Sequence, residues 1–158
     1  MEIYVDGAGS NQKTLCGGWA YVVYDNNKYI TSKSGGAKDT TNNRMELQAV
    51  IEAMSDYAQS FSEITIYCDS AYIVNCIQQK WYLNWEANGW ITSKKTPVLN
   101  KDLWIKLLSL YRTGNFKIVK VAGHTGIHGN TMADKLAVQE KKKQEGLLIC
   151  QELSSLHL

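Results

Sequence analysis

Four acidic residues, Asp6, Glu46, Asp69 and Asp134, stand where chain geometry could bring them together. Asp6 and Asp69 end or follow strand-like runs, Glu2-Ile3-Tyr4-Val5-Asp6 and Ile64-Thr65-Ile66-Tyr67-Cys68, and open α/β sheets carry their sites at the C-terminal ends of strands. Glu46 and Asp134 fall in the first turns of expected helices, at the edge of an apolar stripe and so beside the sheet. Each acid also has a plain structural explanation. Asp6-Gly7 is an ordinary turn pair. Glu46 follows Asn43, and Asp134 follows Thr131, at capping-box spacing. Asp69 sits between strand and helix, where aspartate is a favoured N-cap. As a set they read differently. Clustered carboxylates repel one another unless a cation lies among them, and an all-carboxylate set suits Mg²⁺ or Mn²⁺ better than Zn²⁺.

The elements that must position these acids follow from hydrophobic period. Residues 2–6, 18–24 and 28–34 read as three strands with short connections, Gly7 to Asn11 and Asp25-Asn26-Asn27 supplying turn chemistry, so the chain begins antiparallel. The period then changes: Leu47, Val50, Ile51, Met54 and Ala58 form one helical stripe behind the N-cap candidates Thr40 to Asn43. A fourth strand at 64–68 leads into a helix from Ser70 to about Gln79. Trp81, Trp85, Trp90, Lys94, Lys95 and the single proline, Pro97, mark an irregular stretch. A helix from Lys101 to Tyr111, stopped by Gly114, precedes a fifth strand from Phe116 to Val121. Gly123 to Asn130 reads as a loop, and Thr131 opens a last helix ending at Lys141-Lys142-Lys143. Three strands followed by alternating helix and strand imply an α/β fold, a mixed sheet covered by helices.

Bulk properties exclude more than they select. A chain of 158 residues, 44% apolar and 20% charged, can bury one sizeable core. No apolar run reaches a membrane span, and Met1-Glu2-Ile3 enters strand-like sequence without a signal-peptide pattern. Cys16, Cys68, Cys76 and Cys150 lack metal-ligand spacing, which favours reduced thiols and a cytoplasmic protein. The net charge of +2 does not announce a nucleic-acid binder, so any such evidence lies in where the charges sit.

Four segments resemble the motifs of type 1 ribonuclease H, in the order and with the spacing of that family. They are Val5-Asp6-Gly7-Ala8, Thr41-Asn42-Asn43-Arg44-Met45-Glu46-Leu47, Tyr67-Cys68-Asp69-Ser70, and Gly123-His124-Thr125-Gly126 through Asn130 to Asp134. The second is highly specific. The Trp-rich stretch and the Lys-Pro segment after it resemble the basic protrusion of bacterial members, and the likeness covers roughly residues 1–142. It implies a ribonuclease H-like fold: a five-stranded sheet, the first three strands antiparallel, the others parallel to the first. It also implies an endonuclease acting on the RNA strand of RNA–DNA hybrids, with two Mg²⁺ ions (or Mn²⁺) held by Asp6, Glu46, Asp69 and Asp134. Asp6 would bridge both ions, Glu46 and Asp69 completing one and Asp134 the other. The products would be 5′-phosphate and 3′-hydroxyl ends. His124 resembles the family's mobile histidine, which assists proton movement or product release. His128 has no such counterpart and reads as an ordinary loop residue.

A hybrid-specific enzyme must sense 2′-hydroxyls across a wide, shallow minor groove, a task suited to side-chain amides. By resemblance Asn11, Asn42 and Asn43 are the best candidates, with Asn75 weaker; Asn42 and Asn43 also read as helix caps. Thr41 resembles part of a pocket that grips a phosphate of the DNA strand, yet Asp39 stands where bacterial relatives often carry arginine. Trp90 and the lysines Lys80, Lys94 and Lys95 are left to meet the substrate from the protrusion, while Trp81 and Trp85 read as packing residues. A relative of different specificity on the same fold, or a non-catalytic hybrid-binding module, would share parts of this pattern. The specific second motif opposes the former, and the retention of all four acids the latter. The expected partner is the hybrid alone, with the protein a monomer. The catalytic domain is expected over residues 1–145. Residues 146–158 lie beyond the family core, and Ile149, Leu153 and Leu156 predict a short amphipathic helix packed back on the domain.

In the protrusion, Glu86-Ala87-Asn88 replaces a run that is usually basic, so fewer phosphates are met and hybrid affinity is lower. Salt titration of hybrid binding checks this: the log–log slope should be shallower than that of a variant with lysines at 86–88.

Overall fold

The computed structural model describes residues 1–10, 15–121 and 128–156. Five strands, β1 (Glu2–Gly9), β2 (Gly17–Asp25), β3 (Lys28–Ala37), β4 (Ile64–Cys68) and β5 (Phe116–Lys120), form one sheet in the order β3-β2-β1-β4-β5. β1 pairs antiparallel with β2, and β2 with β3, whereas β4 runs parallel to both β1 and β5. This is the mixed α/β architecture expected from the sequence. The β2–β3 hairpin turns on Asn26 and Asn27, whose φ values of 49° and 61° suit the two-residue turn that matches strand twist.

The helices are α1 (Asn42–Asp56), α2 (Ala71–Gln78), α3 (Trp81–Ala87), α4 (Lys101–Thr113) and α5 (His128–Ser155). The core holds Ile3 and Val5 from β1, Leu47, Val50 and Met54 from α1, Ile64 and Ile66 from β4, and Trp104, Leu107 and Leu108 from α4. The predicted stripe of α1 is buried as expected except at Ala58, which lies past the end of the helix at Asp56. α5 lies against β1, β2 and β3, and a Cβ on Gly18 of β2 would stand 2.1 Å from the carbonyl oxygen of Ala137.

Several local expectations are corrected. Asp6-Gly7 is no turn: β1 continues to Gly9, with Asp6 opposite Ala20 and Gly7 opposite Trp19. The glycines serve close approach instead. A Cβ at Gly7 would lie 2.3 Å from the Glu46 nitrogen, and one at Gly9 2.2 Å from that of Asn42, so α1 presses directly on β1. Neither capping box forms. Thr41 caps α1 by accepting from Arg44 N, leaving Glu46 in the second turn. α5 begins at His128 rather than Thr131, placing Asp134 in its second turn as well. Nor is Asp69 a cap, because Ser70 accepts the hydrogen bond from Ile73 N at the start of α2. Residues 146–155 form no separate helix. They continue α5, because nothing at Gly146 stops it, and Leu147, Ile149, Leu153 and Leu156 stay exposed. Lys38 Nζ donates to Gln151 Oε1 at 3.2 Å, tying this end to the rest of the chain.

The Gly7 contact yields a first structural prediction. Gly7→Ala must push α1 off β1, since the clash is with backbone that cannot rotate away. It should cost about 2–3 kcal/mol, at the upper end for overpacking, seen as a lower urea midpoint; an unchanged midpoint would show that the helix does not depend on this approach.

Candidate active site

The pairing of β1 with β4 ends at Val5 opposite Cys68. The next residues on these neighbouring parallel strands are Asp6 and Asp69, so both carboxylates emerge side by side on one face, about a strand spacing apart. Glu46 arrives from α1, held against β1 by the close approach at Gly7. One carboxylate oxygen from each of Asp6, Glu46 and Asp69 lies within 4.8 Å of the others. Asp134, carried by α5, reaches Asp6 closely enough for hydrogen bonding between the two carboxyl groups. Thus β1, α1 and the residue after β4 each bring one acid to a single place, with Asp134 of α5 beside Asp6.

Asp6 and Glu46 are buried, at 4% and 6% exposure, where water cannot dilute their charge. Burial, then the charge of Asp69, raises the Asp6 carboxyl to about 7 despite its hydrogen bond from Gly7 N. Burial, then the charges of Asp6 and Asp69, raises Glu46 to about 10. Burial also pushes the Cys68 thiol beneath the cluster well above its ordinary value. Among the described residues, Glu46 Oε2 is buried without a hydrogen-bond partner. An anionic oxygen left unpaired in a dry site is costly unless a cation meets it. A donor set made only of carboxylate oxygens fits a hard divalent cation.

Beside the cluster, Gly9, Thr41, Asn42, Asn43, Leu99 and Asn100 line a cleft of about 490 Å³. Asn42 Oδ1 accepts from Gly9 N at 3.1 Å, which fixes its amide at the cleft. The exposed Asn43 is unencumbered by any capping role. Thr41 uses its oxygen as the α1 cap, leaving its hydroxyl proton for an outside acceptor. Leu99 and Asn100 were not picked out by sequence reasoning, nor was Arg44, which grips Asp102 with both nitrogens (3.0 and 2.8 Å) and reaches Asn100 at 3.4 Å. The available signal was Arg44 itself, inside the most specific motif but given no task.

The remaining expected residues are spread out. Asn75 is half-buried on α2 and does not line the cleft. Trp90 is half-buried against Trp85, so packing claims it along with Trp81 and Trp85. Lys94 and Lys95 are exposed at the tip of the segment after α3. Asp39 takes a left-handed backbone, φ 51°, which aspartate tolerates. Lys38 beside it is turned to Gln151, so it does not replace an arginine at the cleft. Asn11 and His124 lie outside the described residues.

A model of the RNase H family matches residues 1–142. The chain belongs to the RNase H family. A ribonuclease H of Syntrophomonas wolfei is 46% identical over 137 residues, 85% of this chain and 91% of the relative. Among solved structures, LC9-RNase H1, a type 1 RNase H with the type 2 active-site motif, superposes with a TM-score of 0.76 at 24% identity, covering 90% of this chain and 72% of that one. A foamy viral protease-reverse transcriptase in complex with RNA/DNA hybrid superposes with a TM-score of 0.72 at 25% identity. That match covers 89% of this chain and 20% of the viral one. The RNase H family and the buried acidic triad together are compatible with divalent-metal binding. Among the described residues, no helix is long and apolar enough to cross a membrane.

The raised carboxyls have a measurable consequence. An unfolded carboxyl ionises near pH 4, whereas Asp6 and Glu46 hold their protons to about 7 and about 10 in the fold. The folded protein therefore loses stability as pH rises above 4, until each folded value is passed. Without metal, Glu46→Gln should melt roughly 3–8 °C above wild type near pH 8.5 and match it near pH 4; Mg²⁺ should close the gap by stabilising only the wild type. A melting difference independent of pH would refute the repulsive cluster.

Proposed function

We propose that this member of the RNase H family is an endonuclease that hydrolyses the RNA strand of RNA–DNA hybrids, leaving 5′-phosphate and 3′-hydroxyl ends. The observation that carries the reading is the acidic triad of Asp6, Glu46 and Asp69, the first two buried and one Glu46 oxygen unpartnered among the described residues, beside a cleft lined by amides. The similarity to one part of a foamy viral protease-reverse transcriptase, whose structure is in complex with RNA/DNA hybrid, supports the substrate class.

In this reading Asp6, Glu46, Asp69 and Asp134 would hold two divalent cations, Mg²⁺ or Mn²⁺. Bound there, the cations would acidify and orient the attacking water and neutralise charge on the leaving 3′ oxygen. The chain's own contribution is to keep the acids fixed and dry. Gly7 lets α1 carry Glu46 to the strand ends, and the paired strands hold Asp6 and Asp69 in register. Burial strengthens every electrostatic interaction at the reacting phosphate.

Asn42 and Asn43 face the minor groove, where amides both donate to and accept from a 2′-hydroxyl. Asn11 and Asn75 extend that contact. The Thr41 hydroxyl donates to a phosphate of the DNA strand, while Lys94 and Lys95, with Trp90 at their base, meet the backbone farther along the duplex. His124, assigned from its Gly-His-Thr-Gly context, moves a proton during turnover. The protein acts as a monomer.

Cleavage of a hybrid, a DNA duplex and an RNA duplex of one sequence, with Mg²⁺ and with EDTA, tests the whole reading. Only the hybrid should be cut, in its RNA strand, and only with metal. Asp6→Asn should reduce kcat more than about a hundredfold, beyond the loss caused by removing a group that merely supports a ligand. Equal cutting of all three duplexes, or full activity of Asp6→Asn, would refute it.

A further inference from the structure

We infer that Glu86 and Arg112 form a clip that positions the basic finger of the protrusion, so that Glu86, an acid in a place expected to be basic, strengthens hybrid binding. This rests on the hybrid-cleaving reading above. On sequence grounds Glu86 counts as a base missing from the protrusion. In the fold its charge is already matched. Both Glu86 oxygens accept from the two terminal nitrogens of Arg112 on α4, at 2.8 and 2.5 Å, in the bidentate geometry that suits guanidinium to carboxylate. The Arg112 guanidinium also lies 5.3 Å from the Tyr82 ring centre of α3, so it holds that helix at two points. Among the described residues this is the one ion pair joining α3 to α4.

The clip sits where the finger begins. Glu86 lies in the last turn of α3, and Gly89 and Trp90 then take left-handed backbones, φ 67° and 63°, turning the chain outward. Trp90 N donates to Trp85 O at 2.6 Å, and Trp90 O accepts from Val98 N at 3.0 Å. The finger between them closes through the Ile91–Pro97 bridge and the Thr92–Thr96 hydroxyl pair, with Lys94 and Lys95 at its end. Its base is thus a short α3 held on α4 by the Glu86 clip and by Trp85 packing edge-on against Trp104. α3 has only seven residues and no side-chain N-cap, so it relies on these tertiary ties for its orientation. Freeing it lets the two lysines wander, and the hybrid must then bear the entropy of fixing them.

The test is hybrid binding in EDTA, by fluorescence anisotropy, for wild type, Glu86→Gln, Arg112→Lys, Arg112→Gln and Glu86→Gln/Arg112→Gln, with steady-state kinetics and melting curves for each. Each single change should weaken binding roughly two- to fivefold, the range of a well-formed exposed ion pair. The double change should be no worse than either single one, because both break the same clip. KM should rise with kcat unchanged. The salt slope should stay as in wild type, since no phosphate contact is lost. Arg112→Lys keeps the charge but loses the fork, so it should behave like Arg112→Gln. Glu86→Gln binding as well as or better than wild type would overturn the clip, as would Arg112→Lys matching wild type, or Arg112→Gln alone weakening binding with a shallower salt slope. Unchanged variants beside a wild type that binds hybrid would defeat this inference alone; a wild type without hybrid affinity would defeat the functional reading with it.

Discussion

Mutual repulsion among buried carboxylates is the constraint around which the rest of the structure is arranged. Three acids brought within 4.8 Å, two of them almost wholly removed from water, oppose the fold that assembles them. The molecule holds them there through elements that cannot easily yield. Two central parallel strands fix Asp6 against Asp69, and a helix packed backbone-to-backbone at Gly7 and Gly9 fixes Glu46. The core between these elements, from Ile3 and Val5 to Leu47 and Met54, is fully buried and resists relaxation. Such a site resists ionisation until a cation lies among its oxygens, which is compatible with divalent-metal binding.

The two surfaces proposed to meet the hybrid differ in chemistry. Next to the acids the cleft is lined by neutral amides, because more negative charge there would repel phosphate while amides still read hydroxyls. The basic finger lies apart from it, in a segment anchored through aromatic packing and the Glu86–Arg112 pair. Arg44 joins the cleft's two walls, since it belongs to the first turn of α1 and grips Asp102 at the start of α4. A protein of net charge +2 can therefore bind a polyanion by placement of charge rather than by excess of it.

The fold class was readable because the changes of period along the chain are strong. The strand-like runs at 2–6 and 18–24, the helical stripe from Leu47 to Met54 and the β-branched run at 64–68 all became the elements they predict. Local reasoning failed where a residue's reason is nonlocal. Asp6-Gly7 has the composition of a turn, but Gly7 is a glycine because α1 crosses β1 there. Glu46 and Asp134 have capping-box spacing, but both sit a turn deeper, facing the acid cluster. The apolar residues from Leu147 to Leu156 have helical spacing, yet they extend α5 beyond the sheet instead of folding back, since no turn residue interrupts the helix and Gly146 is tolerated within it.

By itself the sequence determined the family motifs, the candidate acids within them and the order of the elements that carry them, since motif identity and hydrophobic period are written along one dimension. Only the tertiary structure decided that one carboxylate oxygen from each of three separate elements shares a space of 4.8 Å, that Asn42 is tied to Gly9, and that the charge of Glu86 is met by Arg112. Those facts concern distances between residues tens of positions apart, and such distances are set by strand register and close backbone packing, which no local spacing contains.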